Sequence, residues 1–87
     1  MTLIDLAAQA MAKVQGSQWA VLNGAEQQTL RDCVHAVIKA VRQPDVRMTE
    51  AGAEIIRKIG PDESDAAHLS DAANTWRFMI DALLDED

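Results

Sequence analysis

The chain has 87 residues, a formal net charge of −6, 48% hydrophobic residues and only 3% aromatics, which predicts one helical domain over residues 1–87 with a single modest core. The negative balance opposes nucleic-acid and membrane-surface binding and favours basic partners. No apolar run approaches the roughly 18 residues that span a bilayer, and the lone Cys33 allows no disulfide framework, so a protein of the reducing cytoplasm is expected.

The first predicted helix runs from about Leu3 to Gln15. Thr2 is its N-cap candidate, Asp5 stands three residues later, and Gly16 ends it. Leu3, Leu6, Ala7, Ala10, Met11 and Val14 recur at helical spacing. Residues 16–23 form a connection whose Trp19, Val21 and Leu22 are expected to fold back onto the core as a short turn. The second helix starts at Asn23, with Glu26 three residues on, and runs to about Arg42. Its stripe is Leu30, Cys33, Val34, Val37, Ile38 and Val41. Gln43-Pro44 breaks the pattern, and the third helix begins either at Pro44 or at Thr49. Met48, Ala51, Ile55, Ile56 and Ile59 form its apolar face. Gly52 lies inside it at a cost of about 1 kcal/mol relative to alanine, a sign that another helix crosses closely there. Gly60-Pro61 stops it. Asp62-Glu63-Ser64-Asp65 opens the fourth helix, which continues to about Asp85 with Leu69, Ala72, Ala73, Trp76, Met79, Ile80 and Leu83 on its inner stripe. The architecture read from these elements is all-α, a compact bundle of about four helices with short loops. Its core is expected at Leu6, Leu30, Val34, Val37, Ile38, Ile55, Ile59, Leu69, Trp76 and Ile80.

Charge is uneven along the chain. Residues 1–61 carry six acids and seven bases, whereas residues 62–87 carry eight acids and one base, Arg77. Acids in the first turn of the last helix complement its macrodipole, but those near its end do not. Asp71, Asp81, Asp85, Glu86 and Asp87 are therefore the candidate partner-binding residues, acting as charge contributors toward a basic protein or nucleoprotein complex. Carboxylates on a rigid helix can occupy a groove that otherwise holds a phosphate backbone.

Other chemistry finds little support. Cys33 and His35, two apart on a helix, point to different sides, and Cys33 on the apolar stripe is expected to be buried. His68 is expected to be solvated or weakly paired with Asp65 or Asp71. Two histidines without a CxxC or HExxH spacing do not make a zinc site, and no DxDxDG calcium loop, phosphate loop or nucleophile elbow is present. No catalytic residue, metal or cofactor is assigned, and an enzyme is not expected. Arg31, Lys39, Arg42, Arg47, Arg57 and Lys58 could form a basic patch for DNA, against the net charge.

The runs Ala36-Val37-Ile38-Lys39-Ala40-Val41-Arg42-Gln43-Pro44, Met48-Thr49-Glu50-Ala51-Gly52 and Ala72-Ala73-Asn74-Thr75-Trp76-Arg77-Phe78-Met79-Ile80-Asp81-Ala82 resemble a family of small helical proteins encoded by phages and prophages of proteobacteria. The family pattern is A-V-I-x-A-x-R-x-P, then M-x-x-A-G, then W-x-x-M-I-D-A. The resemblance covers roughly residues 34–84 and consists mostly of helix-packing positions, so no functional residue is carried over. Gln43 stands where the family usually has Glu, and the acidic end is an addition. The resemblance implies a mobile-element protein acting in the host cytosol. In size, charge and helical content it is similar as a class to anti-CRISPR proteins and other nucleic-acid mimics. The expected function is that of a non-enzymatic inhibitor of a basic, nucleic-acid-binding host complex. A small DNA-binding regulator and a structural phage protein or homodimer with a shared core are the alternatives.

Overall fold

The computed structural model describes residues 1–86. The fold is all-α, with four α-helices among the described residues: α1 (Leu3–Val14), α2 (Gly24–Ala40), α3 (Val46–Ile59) and α4 (Asp65–Leu84). A 3-10 turn over Trp19–Val21 precedes α2, and no strand occurs among the described residues. Two compact units form: one from Met1–Ala40 together with the stretch from Ala82 onward, the other from Val41–Asp81.

Local side chains explain where the helices begin and end. The Thr2 hydroxyl accepts the Asp5 N–H at 3.1 Å, satisfying a backbone donor that the first turn would otherwise leave unpaired. After α1 the chain turns at Gly16, with φ +81°. The Gly16 N–H then donates to Lys13 O and the Ser17 N–H to Ala12 O, the paired bonds of a left-handed C-terminal cap. Asn23 and Glu26 cap each other's backbone N–H groups, at 2.8 and 3.4 Å, as a reciprocal capping box. The start of α3 differs from both sequence expectations. Asp45, whose carboxylate accepts the Met48 N–H at 2.8 Å, is the cap; Pro44 lies outside the helix, and the Thr49 hydroxyl bonds back to Asp45 O within it. For α4 the cap is Ser64, which accepts the Ala67 N–H.

In the first unit α1 packs on α2. Ile4, Ala8 and Ala12 on one side and Leu30 and Val34 on the other form the buried cluster, with Met11, Trp19, Leu22, Ile38 and Leu83 packed around it. Spacing by four residues puts Ile4, Ala8 and Ala12 on one face of α1. Two methyl side chains there let the helix axes approach closely, and each fully buried large side chain contributes on the order of 1.5–3 kcal/mol.

In the second unit α3 meets α4 through small residues. A Cβ added at Gly52 would stand 2.9 Å from the Ala72 Cβ, so the expected close crossing is there. Ala53, Ala72 and Ile80 are buried. The Trp76 indole N–H donates to Val41 O at 2.8 Å, and the Arg77 guanidinium donates to the Gln43 side-chain oxygen at 2.9 Å.

The expected core is therefore corrected in part. Leu30, Val34 and Ile80 are buried, and Ile38 and Trp76 are half-buried, whereas Leu6, Val37, Ile55, Ile59 and Leu69 are exposed. The reason is the same in α1 and α3. Each helix has a face of small residues beside a face of large ones, and the small-residue face is the one that packs.

Candidate interaction surface

The acidic residues proposed for partner binding do not share one environment. Asp71 is exposed on α4, and its carboxylate makes no ion pair among the described residues; Asp85 is likewise exposed and unpaired. Asp81 instead takes a two-pronged ion pair from Arg42, at 2.7 and 3.0 Å, a fork geometry suited to guanidinium and carboxylate. Glu86 accepts the Leu3 N–H at 3.1 Å, placing a negative charge at the positive end of the α1 dipole. Asp87 lies outside the described residues. The sequence carried no local signal for either engagement, since the partners are 39 and 83 residues apart.

The steep charge gradient along the chain disappears in space. The unit of Val41–Asp81 holds eight acids and five bases, a net −3, and the described residues of the other unit hold five acids and three bases, a net −2. Three of the six cations considered for a DNA-binding patch are bound to carboxylates. Arg31 reaches Asp5 at 2.6 Å and its guanidinium lies 5.2 Å from the centre of the Trp19 ring. Arg42 holds Asp81, and Arg57 contacts Glu54 and Asp65, each at 3.4 Å. Lys39, Arg47 and Lys58 remain without a carboxylate partner among the described residues.

The hydrogen bond from Arg31 holds the Asp5 carboxyl below its ordinary value of 3.8, with its charge and the Thr2 contacts adding to the effect against some desolvation. The hydrogen bond from Arg42 lowers Asp81 in the same way, and Asp81 in turn raises Arg42. Because both folded-state values are depressed, the stabilisation from these pairs is complete above the unfolded value and is lost as pH falls through the folded one. Asp5→Asn and Asp81→Asn are expected to unfold more readily than the parent at neutral pH and to converge with it only as the pH falls from 3.8 through the lowered folded-state values. Urea melts at a series of pH values check this.

Two sequence expectations about reactive side chains are corrected. Cys33 is exposed, because α2 turns Leu30 and Val34 inward and leaves Cys33 and Val37 off that line. His68 is 1% exposed, the only buried polar residue among the described residues. Its Nε2 lies 2.7 Å from Gly60 O, so Nε2 carries the proton and donates. Nδ1 has no hydrogen-bond partner, with the exposed Asp65 carboxylate 3.9 Å away. His68 thereby ties the first turns of α4 to the end of α3. Among the described residues no three His, Cys, Asp or Glu side chains converge as a metal ion requires, and no helix is long and apolar enough to cross a membrane.

Two recesses stand out. A polar one of about 340 Å³ in the first unit is lined by Thr2, Ile4, Asp5, Gln28, Arg31, His35 and Glu86, and its opposite charges largely satisfy one another through the Asp5–Arg31 pair. An apolar groove of about 310 Å³ runs between α3 and α4, lined by Pro44, Met48, Thr49, Gly52, Ile55, Ile56, Ala72, Thr75, Trp76 and Met79. Sequence reading missed the groove because it placed Ile55 and Trp76 together in the core.

No family model matches this chain, and neither does any curated protein or solved structure.

Proposed function

We propose that this protein is a non-catalytic, acidic interaction protein of mobile-element type that binds and blocks a basic, nucleic-acid-binding host complex in the cytosol. One observation carries the reading: three of the eight cations, all arginines, are held in internal ion pairs, and a surplus of exposed carboxylates remains on both units. Arg31, Arg42 and Arg57 are all engaged. Asp71 and Asp85, together with Glu50, Asp62 and Glu63, face solvent. Such a surface attracts a basic groove at long range and repels duplex DNA. The same observation weighs against a DNA-binding regulator, which would show a gel shift with duplex DNA at low salt that weakens steeply as salt rises.

The reading moves the informative positions. Reversing Asp81 or Glu86 also removes the partner of Arg42 or of the Leu3 N–H, so a loss of binding there has two causes. Asp71→Lys and Asp85→Lys, with Glu50→Lys and Asp62→Lys, change charge without breaking an ion pair. The combined variant is expected to keep its helical circular-dichroism signal while losing at least about tenfold in affinity for the captured complex, as expected when several complementary charges are reversed.

A further inference from the structure

We infer that the groove between α3 and α4 is a homodimer interface, its occupant the same groove of a second copy of this chain. Met48 and Ile55 form one wall, Met79 with Thr75 the other, over a floor that includes Gly52 and Trp76. Large apolar side chains are exposed both in the groove and elsewhere on the same two helices. Ile59 is 81% exposed, Phe78 72%, Met79 61% and Ile55 58%. Along α3, Met48, Gly52, Ile55 and Ile59 are spaced by four, three and four residues, the repeat of a helix seam that packs against another helix. The small face at Gly52 and Ala53 already meets α4, so the large residues of this seam have no partner within the unit.

Area and charge point to a second copy. The exposed large side chains of this face amount to on the order of 600 Å² per chain, the upper end of what a monomer leaves uncovered. Two copies would bury about 1,200 Å² of such surface, which reaches the range of stable interfaces. The flanks are self-complementary in sign. Helical spacing places Arg47, Glu54 and Lys58 on the outer flank of α3, one positive charge in excess, and Asp71 on that of α4. A twofold axis along the groove sets each basic flank beside the acidic flank of the other copy, an isologous arrangement in which Asp71 lies on the solvent-accessible rim.

Sedimentation equilibrium of the purified protein in reductant tests this without any host partner, so its outcome is separate from that of the inhibitor reading. The parent is expected to approach twice its 9.5 kDa mass at high micromolar concentration. Ile55→Glu and the milder Ile55→Ser and Met79→Ser should remain helical and shift the dimer dissociation constant upward by about tenfold or more, as for a central apolar contact. Val14→Glu, at an exposed apolar position of α1, should leave it unchanged. A parent that stays at 9.5 kDa throughout overturns the proposal and leaves the groove to a different chain. So does a dimer seen only without reductant, which would belong to the exposed Cys33, or one broken by Val14→Glu but not by the groove variants.

Discussion

Gly52→Ala is expected to destabilise the α3–α4 unit, although alanine is the better helix former by about 1 kcal/mol. The new methyl would stand 2.9 Å from the Ala72 Cβ, and neither atom can swing away, because each is attached directly to a helix backbone. The helices must separate, and overpacking of this kind costs about 1–3 kcal/mol, which outweighs the gain in propensity. The compensating change identifies the cause. Ala72→Gly in the Gly52→Ala background removes the facing methyl and should recover most of the loss, whereas Ala72→Gly alone only costs helix propensity and leaves a small void. A double-mutant cycle by urea denaturation measures the coupling. A cycle with no coupling would mean that the two helices do not meet at this point.

His68→Ala is expected to be the most damaging single truncation in the unit of Val41–Asp81. It removes the one large, fully buried side chain there together with the 2.7 Å bond to Gly60 O. The cavity and the orphaned carbonyl together cost about 2–4 kcal/mol. Two replacements separate these contributions. His68→Phe restores volume without a donor and should recover part of the loss. His68→Gln offers an N–H of similar reach and should recover a different part. The unpartnered Nδ1 means that a buried polar group is already unsatisfied in the parent, so His68→Phe also relieves one existing penalty. Urea melts of the three variants give the order; an alanine variant as stable as the parent would contradict the buried placement of His68.

Secondary structure was legible in the residues because it is local. Thr2 with Asp5, Asn23 with Glu26, and Gly16 each act within a few positions of themselves, and all occupy the expected capping roles. The start of α3 was misplaced, at Pro44 or at Thr49 rather than at Val46, because the proline and threonine signals hid the carboxylate cap of Asp45. Packing was less legible. Periodicity marks an apolar face but does not say which of two apolar faces will be covered. In α1 and α3 the covered face carried Ala8, Ala12, Gly52 and Ala53 rather than the larger Leu6, Ile55 and Ile59. A composition rich in alanine was the available signal, and Gly52 was its clearest instance. The ion pair of Arg42 with Asp81 and the contact of Leu3 with Glu86 join distant positions, where spacing carries no information. The acidic segment consequently read as one charged helix face, although the folded chain neutralises part of it.

The most direct test of the acidic-inhibitor reading is an affinity capture from host lysate at low and moderate salt, comparing the parent with the variant reversed at Glu50, Asp62, Asp71 and Asp85. The expected result is retention of a basic, nucleic-acid-binding complex by the parent, weakened by salt and lost in the folded variant. Capture of the same complex undiminished by the reversal, or recovery of the protein alone, would contradict it.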